Sequence, residues 1–154
     1  MKKIDIKKLI FYILITLLIG GLPSIFVIKN DTYDTLNKPP LSPPPILFPI
    51  VWTILFILMG ISIYRVMVSD NSSKKEGKLI YFIQLIVNAL WTVIFFGLNE
   101  YFLAFLWILM LILLVVTMLI VFSKIDKIST YINIPYLIWL LFACYLNFGV
   151  FILN

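Results

Sequence analysis

YFLAFLWILMLILLVVTMLIVFS, residues 101–123, runs for 23 positions without a charged side chain. As a helix it rises about 35 Å, enough to cross the roughly 30 Å of hydrocarbon in a bilayer. A helix at the surface of a soluble domain would show a polar face, and this one has none. Four further uncharged runs share the pattern: 9–28, 46–64, 79–98 and 128–154, the last expected to be helical over 128–153. Backbone groups in lipid must satisfy one another, so each run is read as a helix. Strands of a membrane barrel would place polar residues at alternate positions, and these runs do not. The expected fold is all-α: a polytopic membrane protein whose 154 residues form one domain, a bundle of five transmembrane helices.

Composition narrows the chemistry. Hydrophobic residues make up 63% of the chain and charged residues 12%, about half the usual share. Mean hydropathy is +1.12. These values exclude a water-soluble globule and a disordered chain. A lone cysteine, Cys144, excludes a disulfide scaffold, and the absence of histidine removes imidazole metal sites, Ser-His catalysis and histidine ligation of haem. No metal site is expected. The net charge of +5 lies in short clusters between apolar runs, which suits an anionic membrane surface rather than nucleic acid.

Those clusters set the expected topology. Lys2, Lys3, Lys7 and Lys8 precede the first run, Lys29 and Lys38 follow it, Arg65, Lys74, Lys75 and Lys78 follow the second, and Lys124 and Lys127 follow the fourth. With the N-terminus in the cytoplasm, ten basic residues lie inside and two outside, so the C-terminus is expected outside. The first run exceeds the h-region of a signal peptide and is read as a mature helix.

The segment 29–45 is long for a connection in a compact bundle, and with Pro49 it carries six of the eight prolines. Proline fixes φ and removes donors, so the segment is expected to be stiff. It is read as a lid over a pocket, against the plainer readings of a rigid spacer or a ligand for proline-binding domains.

Within the runs there is no Asp, Glu, Lys, Arg or His, which argues against an ion-coupled pump. Aromatic rings and neutral amides remain. Gln84, Asn88, Trp91 and Phe95 share one helical face; so do Pro49, Trp52, Phe56, Met59 and Ile63, and Tyr136, Trp139, Ala143, Asn147 and Val150. These faces line either a pocket for a flat apolar ligand or ordinary helix contacts, and Trp52 also suits an interfacial belt. Asn88 and Asn147 suit interhelical hydrogen bonds, Gly20-Gly21 suits close packing, and Ala104 and Thr117 suit close approach of a second copy.

Several motifs occur in order: Lys38-Pro39-Pro40-Leu41-Ser42-Pro43-Pro44-Pro45, Phe48-Pro49-x-x-Trp52, Leu58-Met59-Gly60 with Tyr64, Gln84-Leu85-x-x-Asn88-x-x-Trp91-x-x-x-Phe95-Phe96-Gly97, and Pro135-Tyr136-x-x-Trp139-x-x-x-Ala143-x-x-Leu146-Asn147. Together they resemble the tryptophan-rich sensory protein/translocator protein (TspO) family, in its bacterial form. The resemblance implies a five-helix bundle that often dimerises. It also implies binding of porphyrins such as protoporphyrin IX and of benzodiazepine-site drugs, with a role in tetrapyrrole homeostasis or stress sensing in the bacterial cell membrane. No obligate cofactor is implied. The family's ligand positions carry over to Tyr33, Pro43, Trp52, Phe56, Asn88, Trp91, Trp139 and Ala143. If light-dependent porphyrin breakdown occurs, Trp52 and Trp139 are the catalytic candidates; transport of tetrapyrroles or lipids is the alternative. Thr32, Leu41 and Ile46 stand where the family often has tryptophan, and Phe56 where tyrosine is common. No basic residue follows the aromatics near the C-terminus, which speaks against cholesterol.

Overall fold

The computed structural model describes residues 4–24 and 32–154. Lys2, Lys3, Lys29, Asp31 and the 25–28 end of the first expected helix lie outside the described residues, as does the side chain of Thr32.

Helix α1 spans Ile6–Gly21. Asp5 caps it, its carboxylate accepting from the Lys8 backbone N–H at 3.2 Å. A single turn, α2, covers Thr32–Thr35. Helix α3 spans Leu47–Val68 and α4 spans Lys74–Thr92, continuing as a π-helical turn over Val93–Gly97. Helix α5 spans Tyr101–Ile125, α6 spans Lys127–Ile132 and α7 spans Ile134–Leu153. Among the described residues, four rods, counting α6 and α7 as one, are long and apolar enough to cross a membrane. The shorter α1 packs beside them as a fifth, so the chain is an all-helical, multi-pass membrane protein. Leu14 and Leu18 of α1 and Leu113 and Ile120 of α5 expose apolar surface that faces lipid.

Several boundaries differ from the sequence expectation. The first helix, expected over 9–28, begins at Ile6 and gives way to a turn after Gly21, where Pro23 follows. Helix α3 runs on to Val68 and α4 begins at Lys74, because the charged residues that end a hydrocarbon run do not end the helix. The fifth expected helix is two helices, broken at Asn133. Pro135 in the first turn of α7 has no N–H to give and its ring crowds the carbonyl four residues back. The Asn133 side chain instead donates to the Ser129 carbonyl at 2.8 Å and to the Ser62 hydroxyl of α3.

The rods form a ring in which α1 packs on α3 and α4, α4 on α5, and α5 on α6 and α7. Gly60 brings α3 against α1: a Cβ there would lie 2.6 Å from the Ile13 Cα. Met59, Ile63, Tyr81, Leu85, Ile108, Met118, Phe122 and Leu140 fill the centre without exposure. At one end, the backbone N–H of Asp5 donates to the Tyr64 hydroxyl, Arg65 forks onto Asp126 at 2.7 and 3.1 Å, and Asn71 donates to the Lys124 carbonyl. The start of α1, the α3–α4 turn and the α5–α6 junction, with the lysines that flank them, therefore share that end. The proline segment and the end of α7 share the other, where Asn37 and Asn154 bond to each other.

Candidate ligand-binding cavity

A cavity of about 420 Å³ opens between the rods below the proline segment, within the usual size range of small-molecule sites. Helix α1 contributes Leu17, Gly20 and Gly21; the segment after α2 contributes Ser42 and Pro45, and α2 itself Tyr33. Helix α3 contributes Phe48, Pro49, Trp52, Thr53 and Phe56, and α4 contributes Asn88, Trp91 and Thr92. Phe95 and Phe96 come from the π turn, and Ala143, Leu146, Asn147 and Val150 from α7.

Close aromatic pairs form two of the walls, one stacked and one tilted. Trp52 and Phe56 lie 5.4 Å apart with planes 29° from parallel, and Trp91 and Phe95 lie 5.3 Å apart at 31°. Gly20 makes the first pair possible, since a Cβ on that residue would run into the Phe56 ring. The π turn serves the second wall. By adding one residue to the helical turn it brings both Phe95 and Phe96 to the cavity, and Leu98 N–H closes it by donating to the Val93 carbonyl at 3.0 Å. Asn99 then leaves the helix at φ 57°, a left-handed conformation that asparagine tolerates well.

The indole and amide groups of the wall are engaged within the protein. Trp91 Nε1 donates to Asn147 Oδ1 at 3.0 Å, and Asn147 Nδ2 donates to the Tyr101 carbonyl at 2.9 Å. Asn88 Nδ2 donates to the Tyr136 hydroxyl, which donates to Gln84 Oε1, both at 2.9 Å. Near the mouth, the hydroxyls of Ser24, Ser42 and Tyr33 donate to the carbonyls of Gly21, Pro39 and Pro43. Lys38 Nζ stands 4.3 Å over the Tyr33 ring and places one cation beside the rim. Burial raises the Tyr33 phenol above its ordinary pKa, so it stays protonated at neutral pH.

Of the eight ligand positions named from sequence, the cavity gathers six: Tyr33, Trp52, Phe56, Asn88, Trp91 and Ala143. Pro43 is outside the lining and acts through its carbonyl, which holds Tyr33 at 3.3 Å. Trp139 is also outside it. Its ring meets Phe48 edge to face at 6.1 Å and lines a separate groove between α3 and α7. Asn147 joins α4, α5 and α7 through its side chain, as an interhelical reading requires, and it also lines the cavity. Sequence reasoning passed over Gly20, Gly21, Phe96 and Leu146 as lining residues; the Gly20-Gly21 pair was visible, but packing alone was enough to explain it. Ala104 is fully buried inside the bundle and so cannot meet a second copy, which corrects the expectation for it. Thr117 is exposed, with its hydroxyl on the Leu113 carbonyl.

Comparison with known proteins agrees with this architecture. The TspO/MBR family model matches residues 12–153. The chain is 37% identical over 143 residues to the tryptophan-rich protein TspO of Chlorobaculum tepidum, covering 90% of each chain. It is 40% identical over 124 residues to protein CrtK of Rhodobacter capsulatus, covering 79% of this chain and 78% of that one. It is 34% identical over 152 residues to the tryptophan-rich protein TspO of Archaeoglobus fulgidus, covering 97% and 99%. With the family match running nearly end to end over the rods that build the cavity, this chain belongs to the TspO/MBR family.

Proposed function

We propose that the protein binds a flat, apolar, aromatic ligand of the porphyrin type, with protoporphyrin IX as the model, and acts in tetrapyrrole homeostasis or stress sensing. One observation carries this reading: two close aromatic pairs, Trp52–Phe56 stacked and Trp91–Phe95 tilted, border a single space of about 420 Å³. Rings of this kind favour a planar partner through offset stacking and area burial. Lys38 at the rim suits a ligand with an anionic edge, such as a propionate, left at the membrane surface. The same walls suit drug-like aromatics of the benzodiazepine-site class. A bacterial cell membrane, with the N-terminus in the cytoplasm and the C-terminus outside, fits the end of the bundle that gathers the lysines. A homodimer is part of the proposal, with its interface on lipid-facing surface and not at Ala104.

The test is a titration of protoporphyrin IX into the purified protein, read by porphyrin absorbance and tryptophan quenching. Saturable binding that Trp52→Leu and Trp91→Leu weaken supports the reading; binding that neither substitution changes removes the site. Light-dependent breakdown of bound porphyrin is a second reading, favoured by the Trp52 indole in the cavity wall. It would use dioxygen as oxidant. It is rejected if illumination in detergent alone bleaches the porphyrin as fast.

A further inference from the structure

Helix packing closes the ring of rods on every side but one. Among the described residues, helix α3 meets the fifth rod through the short α6, and beyond it the backbones of α3 and α7 stand apart, bridged by aromatic side chains. The gap is a groove open to lipid, lined by Val51, Ile54 and Leu58 on one wall and Ile138, Trp139 and Phe142 on the other. Ile54 and Ile138 are exposed at its lip. On α3, residues next in sequence to these face the other way: Trp52 borders the cavity beside Val51. Between cavity and groove the partition is made of aromatic rings. Phe48 meets Trp139 at 6.1 Å and Trp52 meets Tyr136 at 6.2 Å, both edge to face. Rings in such contacts can swing without breaking a helix or a backbone hydrogen bond.

A second observation concerns Trp139. Its indole nitrogen is covered by protein yet donates to no acceptor. Buried N–H groups are nearly always paired, and hydrocarbon offers no water to do it. The donor is covered while the Trp139 ring rests against Phe48, and it is uncovered only when that ring turns.

We propose that this seam is a second binding surface: a vestibule that takes planar apolar molecules from the bilayer and passes them into the cavity when Phe48 and Trp139 part. As Trp139 turns aside, its N–H opens to a carbonyl or carboxyl oxygen of the passing molecule. A lipid tail would fill the groove and leave that donor unpaired. Continuity with the cavity through Phe48 makes the cavity's own ligand the fitting occupant, so the inference rests on the proposed planar ligand.

The experiment uses the full chain in lipid nanodiscs and protoporphyrin IX, with stopped-flow porphyrin fluorescence. Ile54→Phe and Ile138→Phe fill the groove from opposite walls, and neither residue lines the cavity. Association and dissociation are expected to slow together by about tenfold with Kd unchanged, because a gate scales both directions alike. Trp139→Leu should speed both. If one filling variant fails to fold, the other reads the same gap. Wild-type rates in a folded filling variant overturn the vestibule and leave the cavity reading standing. Absence of porphyrin binding by the wild type removes both.

Discussion

Asn37 and Asn154 clasp each other across the end of the bundle. The Asn37 backbone N–H donates to Asn154 Oδ1 at 3.0 Å, and Asn154 Nδ2 returns a bond to the Asn37 carbonyl at 2.9 Å. Tyr145 adds a bond to the Pro40 carbonyl at 2.8 Å, and Pro39 lies so close over Gly149 that a Cβ there would strike its ring. The proline segment is thus fastened to α7 by its middle. Bonds of this kind each contribute about 0.5–1.5 kcal/mol. Asn154→Ala should therefore raise amide hydrogen exchange over residues 37–42 and speed ligand release by several-fold. Unchanged exchange would mean the prolines alone hold the segment.

Gly20 and Gly21 are adjacent and should respond in opposite ways. A side chain at Gly20 collides with Phe56, whereas a Cβ at Gly21 meets nothing within 4 Å. Gly20→Val should push Phe56 off Trp52, cost about 1–3 kcal/mol of stability by overpacking, and weaken binding of the cavity's ligand. Gly21→Ala should leave stability unchanged or raise it by up to about 1 kcal/mol, since alanine is the better helix former. Thermal melting of the two variants side by side decides the matter.

Asn147 holds Trp91 in place, and Asn147→Leu should show it. The substitution leaves the buried Trp91 N–H without an acceptor, at about 1–3 kcal/mol, and takes from the Tyr101 carbonyl the bond it receives in addition to the helix. The expected signature is a lower melting temperature together with changed tryptophan emission and a weakened ligand. A variant that melts lower but keeps wild-type emission and affinity would assign Asn147 to helix packing alone.

The Arg65–Asp126 pair predicts an acid-side transition. Hydrogen bonding from the Arg65 guanidinium, and then from Ser129, holds the Asp126 carboxyl below its ordinary pKa. A carboxylate depressed in the folded state stabilises above its unfolded pKa of about 3.9 and loses that contribution as pH falls through the lower folded value. Melting temperature should be insensitive to this group from pH 7 to 5 and should fall below about pH 4. Asp126→Asn should lower the plateau and flatten that part of the acid limb attributable to the pair.

The uncharged run 101–123 became Tyr101–Ile125, and Gln84, Asn88, Trp91 and Phe95 all turned inward. Both were legible because hydrocarbon thickness fixes a helix's length and 3.6-residue periodicity fixes its face. Trp139 and Ala104 were harder. Trp139 lies on the same stripe as Tyr136 and Ala143, but the opening of the ring between α3 and α7 sets that edge of the stripe against lipid and Phe48, away from the cavity. Ala104 has the small size that suits either a neighbouring rod or a second chain, and only the fold says which. The break at Asn133 was half legible: Pro135 marked it, whereas the Ser62 hydroxyl that holds it lies 71 positions away in sequence. Periodicity names a face, and what stands opposite depends on how five rods are ordered around a ring.

The indole of Trp91 and the amides of Asn88 and Asn147 already have protein partners, and this shapes how the cavity can discriminate. A wall whose indole and amide donors are occupied, with only small hydroxyls such as Thr53 and Thr92 left over, has little with which to favour one arrangement of acceptors over another. It sorts molecules by outline and thickness. Affinity across a series of ligands should then follow the ring area they cover, with scant regard for the heteroatoms inside it. Chemically unrelated flat molecules of similar footprint become interchangeable guests, a tolerance built into the bonding of the wall.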